Sequence, residues 1–278
     1  MQIARTLPDL RAACAALRAA RGHIALVPTM GALHAGHRAL VTQAVATGAG
    51  VVTSIFVNPM QFGPNEDLSR YPRDEAGDLA QLTECGCHIA WLPDVATMYP
   101  PDDATSIEVA GPAERWEGAA RPGHFRGVAT VCTRLFGQVR ADAAFFGEKD
   151  WQQLQVIRRV VADLLLPLGI VGVETVREPD GLALSSRNRF LTPAERALAP
   201  RLYTVLRETA AELAHGSPAA GPLARARAAL EREGFQPDYF ELVDGPSLTP
   251  LPAARPPARL IAAAKLGAVR LLDNIAVG

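Results

Sequence analysis

The sequence predicts an α/β fold: a parallel sheet flanked by helices, followed by a smaller α+β domain. Three observations predict it. Short apolar runs alternate with amphipathic stretches over roughly the first 176 residues, a pattern that implies a parallel sheet with right-handed crossovers. After about Val176 the texture changes to helix signals and then three apolar runs joined by Gly/Pro-rich segments. Between the first clear strand and its helix stands PTMGALHAGH, residues 28–37. In open α/β sheets such a junction binds nucleotide phosphates, because a helix N-terminus carries unpaired N–H groups and partial positive charge.

The elements follow in order. Residues 7–20 read as an amphipathic helix with Asp9 near its start. Residues 24–27 are a buried strand, 28–33 a turn, and 36–47 a helix. VVTSIFVNP is a β-rich run closed by Pro59, and a polar loop, QFGPNEDLSRYPRD, leads to a helix over 75–84. Residues 88–92 are a further strand. Residues 111–127 read as irregular, 128–140 as helix, and ADAAFFGEKD as a strand with a polar loop. A helix over 151–163 and a strand over 171–176 complete the first domain, 1–176. In the second domain, 177–278, one helix is expected over 193–213, with Thr192 as N-cap and Glu195 three residues on. A second follows over 223–233, then strands over 239–243, 260–265 and 268–272, the last two split by Leu266-Gly267 as in a hairpin.

Composition narrows the class. The chain has 278 residues, is 49% hydrophobic and carries a formal net charge of -1. Near-neutral charge argues against nucleic-acid binding, which needs a basic surplus. No apolar run approaches the roughly 20 residues of a membrane span, and the first residues hold no apolar signal-peptide core. Cys14, Cys85, Cys87 and Cys132 lack CxxC spacing and read as packed thiols. A reduced, cytoplasmic protein is expected. Arg is the usual cation, and the only lysines are Lys149 and Lys265. A retained lysine suits a site that wants a compact ammonium.

Four polar clusters follow strand ends. His34 and His37 lie three apart, on one side of a helical turn. One such histidine would read as a cap; two, with Gly36 between them, point to phosphate. Their N–H groups can answer charge that builds in a transition state, and Gly36 lets a nucleotide approach the backbone. Asn58 and Gln61 in NPMQFG offer amides that bind a hydroxyl or carboxylate without adding charge. GEKDWQQ brings Lys149, and Leu184-Ser185-Ser186-Arg187-Asn188 sets two hydroxyls beside a guanidinium as an anion clamp. RPGHFRG, residues 121–127, adds cations as a solvent loop or a substrate lid. Together the clusters indicate nucleotide phosphate chemistry. The chain lacks a Walker A pattern, a GxGxxG after the first strand, a convincing Ser–His–Asp set and zinc-ligand spacing.

PTMGALHAGH, SIFVNPMQFG, RYPRD, RPGHFRGVATV, FFGEKDWQQL and LSSRNRFL, in this order, closely resemble the pantoate–β-alanine ligase family. Six separate blocks make chance agreement negligible. HAGH resembles the HxGH signature of the nucleotidylyltransferase superfamily, and SSRN the mobile KMSKS loop of its synthetase members. The resemblance implies a Rossmann-like parallel-sheet domain with a smaller C-terminal α+β domain acting as a lid, and a homodimer through the larger domain. It implies ATP-dependent condensation of pantoate with β-alanine through pantoyl adenylate, with Mg2+ accompanying ATP.

By the same resemblance, His34, His37, Lys149, Ser185, Ser186 and Arg187 hold the triphosphate and stabilise departing pyrophosphate. Gln61 and Gln153 grip pantoate, Met30 contacts it or packs beside its reacting carboxylate, and Asn58 serves the β-alanine end and the phosphates. Pro28, Thr29, Met30, Gly31, Gly36, Gly147, Asp150, Val176 and Leu184 line the nucleotide, with Asp150 on the ribose. Two departures stand out. Family members often carry an acidic pair after RYPR, linked to Mg2+; here Gly77 replaces the first acid, leaving Asp78 as a weak metal candidate. LSSRN replaces MSSRN, a volume-conserving change at Leu184. Two rivals remain at this level: a nucleotidylyltransferase acting on a phosphorylated acceptor, which would call for more cations, and a non-enzymatic nucleotide-binding module.

Overall fold

The computed structural model describes residues 1–63 and 68–278. The polar loop expected between Gln61 and Asp74 lies partly outside them. The chain divides into two compact units: Met1–Ala110, Arg121–Glu148 and Val156–Glu174 form the first, and Gly111–Ala120, Lys149–Gln155 and Thr175–Gly278 the second.

The first unit is built on a six-stranded, all-parallel sheet. Its elements are β1 (Gln2–Ala4), α1 (Leu7–Arg21), β2 (Ile24–Thr29), α2 (Ala35–Ala46), β3 (Gly50–Ile55), α3 (Glu75–Glu84), β4 (Ile89–Trp91) and α4 (Val95–Met98). After α5 (Glu117–Ala120), which belongs to the second unit, come α6 (His124–Val139), β5 (Ala143–Gly147), α7 (Trp151–Asp163), whose residues up to Gln155 belong to the second unit, and β6 (Gly169–Val173). The strand order is β1-β4-β3-β2-β5-β6, and every pairing is parallel. Strands buried on both faces explain the near-continuous apolar runs; Ile24, Ala25, Leu26 and Val27 are at most 1% exposed.

From β2 the chain progresses one way to β3 and β4, and the other way to β5 and β6. The direction reverses between β2 and β5, so the crevice at their carboxyl ends is where such a sheet binds ligands. Thr6 opens α1 by accepting a hydrogen bond from Asp9 N, and Asp74 opens α3 by accepting one from Gly77 N.

The second unit holds α8 (Pro193–Leu198), α9 (Arg201–Leu213), α10 (Ala220–Arg232), β7 (Phe235–Asp244), β8 (Ala258–Leu266) and β9 (Val269–Val277). The three strands form an antiparallel sheet in the order β7-β8-β9. Its core joins Leu202, Leu206, Leu213 and Leu230 from the helices to Phe240, Leu242 and Leu260 from the sheet. The β8–β9 hairpin turns at Gly267, whose φ of +56° suits glycine.

Several local readings change. β1 is too short to show in the pattern. The strand expected to end at Val27 runs on to Thr29; the ladder to β5 has ended by Leu26, and Pro28, which lacks an N–H, sits in that unladdered stretch. The helix expected over 193–213 breaks after Leu198 because Pro200 cannot continue it. Residues 111–127 are not wholly irregular: α6 starts at His124, behind Gly123 in the left-handed conformation.

Candidate active site

In the first unit, three strand ends deliver the motifs side by side. β2 leads into the histidine turn, its neighbour β5 ends at Gly147, and its other neighbour β3 leads to Asn58 and Gln61. Gly147 faces open space: an added Cβ would meet nothing within 4 Å.

The histidine turn is fixed by its own hydrogen bonds. Gly31 and Ala32 take positive φ, +79° and +50°, a conformation that costs a residue with a Cβ. Thr29 Oγ1 donates to Ser54 O at 2.7 Å and accepts from Gly31 N at 3.3 Å. The hydroxyl of Thr29 is thus engaged in the turn. Asp78, 3% exposed, reaches across from α3. Its carboxylate accepts from Ala32 N at 2.9 Å and from Leu33 N at 2.7 Å. Gln81, one turn on, donates Nε2 to Leu33 O at 3.3 Å. A Cβ on Gly31 would lie 2.8 Å from Asp78 Oδ2, so the glycine also makes room for this brace.

His34 caps α2, its Nδ1 accepting from Gly36 N at 3.1 Å. His34 N donates in turn to His37 Nδ1 at 3.4 Å. The rings lie 4.1 Å apart, centroid to centroid. Capping and phosphate binding are therefore compatible. An Nδ1 that accepts leaves the proton of a neutral imidazole on Nε2, so the cap selects the tautomer whose outer nitrogen donates.

Asp78 braces the histidine turn. Both carboxylate oxygens accept backbone N–H groups, and no cluster of three metal-binding side chains occurs among the described residues. Asp78→Asn places an amide N–H against a backbone donor. We expect it to lower kcat/KM for ATP about tenfold, the worth of a hydrogen bond to a charged acceptor, with the half-saturating Mg2+ concentration unchanged. A Mg2+ titration on the variant checks this; a higher Mg2+ requirement as the sole change would support the ligand role instead.

Asn58, expected to meet substrate, is 0% exposed and fully engaged. Its Nδ2 donates to Gln61 Oε1 at 2.9 Å and to Gly127 O at 3.1 Å. Its Oδ1 accepts from Met60 N at 3.2 Å and Tyr99 OH at 2.7 Å. An Asn amide has two N–H groups and two good acceptor sites; all four are spent. These bonds tie Asn58 to the turn that carries Gln61. RPGHFRG likewise proves to be a buttress: Arg121 donates to Gln61 O at 3.1 Å and His124 Nδ1 lies 2.9 Å from the same oxygen. Met30 is half-buried beside the histidine turn.

In the second unit, Lys149 and Asp150 stand in a 3-10 turn, with Lys149 Nζ 3.3 Å from Asp150 Oδ1. Asn274 on β9 donates Nδ2 to Lys149 O at 2.8 Å. Gln153 is half-buried on the first turn of α7. Val176 and Leu184 meet: Leu184 N donates to Val176 O at 3.0 Å, closing a loop in which Arg177 bridges to Ala183. Arg177 forms a two-pronged bond to Asp273, at 2.6 and 2.9 Å, and stacks 3.7 Å from the Tyr203 ring centre. Adjacent residues of β9, Asp273 and Asn274, thus brace the 176–184 loop and Lys149. Ser185 Oγ accepts from Arg187 N at 3.3 Å and starts the 3-10 turn Ser186–Phe190. A hydroxyl that accepts there keeps its proton to donate to an anion.

Tyr99, Gln81, Asp273 and Asn274 carried no signal in the sequence, because each works through a partner distant along the chain.

Comparison with known proteins shows the family. The family model described as pantoate-beta-alanine ligase matches residues 2–276. Pantothenate synthetase of Acidiphilium cryptum is 63% identical over 278 residues, covering 100% of both chains. That of Granulibacter bethesdensis is 61% identical, covering 99% of this chain and 96% of its own. The crystal structure of pantothenate synthetase from Thermus thermophilus is 47% identical, with a TM-score of 0.93 over 99% of each chain. The Francisella tularensis pantoate-beta-alanine ligase, complexed with beta-gamma ATP and beta-alanine, is 31% identical with a TM-score of 0.84, covering 99% of this chain and 97% of its own. With its full length matched in sequence and fold, the chain belongs to the pantoate–β-alanine ligase family.

Proposed function

We propose that this chain activates pantoate on ATP, with His34, His37, Lys149, Ser185, Ser186 and Arg187 acting on one nucleotide. In the first half-reaction a pantoate carboxylate oxygen attacks the α-phosphorus of ATP; the bond from that phosphorus to the bridging oxygen breaks, leaving pantoyl adenylate and pyrophosphate. In the second, the β-alanine amine attacks the acyl carbon and AMP departs, giving pantothenate. In-line displacement at phosphorus needs positioning and charge stabilisation more than a covalent nucleophile.

The reading rests on the two imidazoles at the switch point of the sheet, each with its Nδ1 engaged by a backbone N–H. Their Nε2–H groups would donate to phosphate oxygens. Lys149, Ser185, Ser186 and Arg187 would hold the triphosphate and meet the charge on departing pyrophosphate. Asp150 would take the ribose, while Pro28, Thr29, Gly31, Gly36, Gly147, Val176 and Leu184 would line the nucleotide, Thr29 through its backbone. Gln61 and Gln153 would bind pantoate beside Met30. Residues 177–278 would serve as a lid over residues 1–176, shielding the adenylate from water.

Mg2+ would arrive on the phosphate oxygens of ATP, a common habit of this ion. A homodimer through the larger unit and a cytoplasmic location complete the proposal; no described helix is long and apolar enough to cross a membrane. Incubation with ATP and pantoate, without β-alanine, tests the sequence of steps. Mass spectrometry is expected to find pantoyl adenylate and pyrophosphate. AMP formed only when β-alanine is present, with no adenylate trapped, would overturn it.

A further inference from the structure

The amide of Gln61 has two chemically opposite ends, and which end faces a substrate decides what that substrate must offer. The surroundings settle the choice without reference to a ligand. Asn58 Nδ2 donates to the backbone carbonyl of Gly127, and Asn58 Oδ1 accepts from the backbone N–H of Met60. A carbonyl can only accept and an N–H can only donate, so the Asn58 amide has one allowed orientation. Its second N–H then demands an acceptor, and the neighbour there is Gln61 Oε1, at 2.9 Å. Its second lone pair demands a donor, and the Tyr99 hydroxyl supplies it, at 2.7 Å.

Tyr99 is itself held for that task. Burial, chiefly, pushes its phenol up to about 12, so it stays protonated and donating. Phe56 and the Arg134 guanidinium pack against its ring, with centroid distances of 6.1 and 4.7 Å. Other groups fix the backbone of Gln61, its carbonyl being held by Arg121 and His124.

We propose that Tyr99 and Asn58 are positioning residues that form a one-way chain of donors, Tyr99 to Asn58 to Gln61, and so fix the Gln61 amide with its N–H2 end toward pantoate. Gln61 then selects an acceptor, a hydroxyl or carboxylate oxygen of the acid, and disfavours a donor such as an ammonium at that point. The inference rests on the assignment of Gln61 to pantoate and adds what sets its polarity. In this role Tyr99 and Asn58 act through Gln61.

Three variants of the enzyme test it, each assayed by pantoate-dependent pyrophosphate exchange. Tyr99→Phe keeps the ring and removes the first donor. It is expected to raise KM for pantoate by about five- to tenfold, the effect of one neutral hydrogen bond, with KM for ATP unchanged and the fold intact by circular dichroism. Asn58→Asp replaces the donating amide with acceptors only, inviting Gln61 to turn its N–H2 inward; it is expected to raise pantoate KM further still. Gln61→Ala is the control. If Gln61→Ala raises pantoate KM while Tyr99→Phe leaves it at the wild-type value, the chain of donors is overturned and the pantoate assignment stands. If Gln61→Ala leaves pantoate KM unchanged, the assignment fails and takes the inference with it. Equal rises in the KM values for ATP and pantoate in Tyr99→Phe would show general loosening and would also overturn the proposal.

Discussion

Lys149→Ala and His37→Ala are each expected to slow pantoyl-adenylate formation by about a hundred- to a thousandfold, the usual loss when one preorganised donor to developing charge is removed. Each is expected to leave the fold intact, because neither side chain is a core residue: both are part-exposed at the ends of elements. His37→Ala also deletes the acceptor for His34 N. A cap of this kind is worth about 1 kcal/mol, too little to unfold a chain with two cores. Rapid-quench measurement of pyrophosphate release separates this step from capture by β-alanine. Lys149→Arg is not expected to rescue, since a planar fork does not replace a compact ammonium. Wild-type turnover in either alanine variant would remove these residues from the chemistry.

Gly127→Ala is expected to destabilise the first unit although alanine is the better helix former. Removing an interior glycine from a helix gains about 1 kcal/mol on propensity alone. At this position, however, a Cβ would lie 2.2 Å from Met60 O and 2.9 Å from Gln61 N. Both atoms are backbone, so no side chain can rotate away. Overpacking of this kind costs about 1–3 kcal/mol or more, and here the strain would fall on the turn that presents Gln61. A lowered urea midpoint together with a raised pantoate KM is the expected result. A stabilised variant with unchanged kinetics would show that α6 can lift away from the Asn58–Gln61 turn freely.

Where structure depends on neighbours in sequence, the sequence was legible. The helices Glu75–Glu84 and Trp151–Asp163 have the bounds expected of them. The Thr192–Glu195 capping box is present, and the hairpin turns at Leu266-Gly267. Caps, turns and 3.6-residue periods are local chemistry. The α/β class followed from alternation, and the histidine turn from its place after a strand.

The duties of individual polar residues were less legible. Asn58 and Gly127 are 69 positions apart, and Asp78 and Ala32 are 46; no local pattern says that a buried amide is already saturated or that a carboxylate faces backbone N–H groups. In sequence, the basic run RPGHFRG stays open between a solvent loop and a substrate lid for the same reason. Its charge suggests an anion, whereas Arg121 and His124 reach the carbonyl of Gln61. Such residues differ from substrate ligands only in what lies opposite them in space.

The proposed function requires His34, His37, Lys149 and the Ser185–Arg187 turn to meet the same triphosphate. A crystal structure with pantoate and a non-hydrolysable ATP analogue measures this directly. The expected result is a single nucleotide with His34 and His37 Nε2, Lys149 Nζ and the Ser185–Arg187 turn within about 2.7–3.2 Å of its phosphate oxygens. Phosphates held by the histidine turn alone, with Lys149 and the serines turned to solvent, would contradict it.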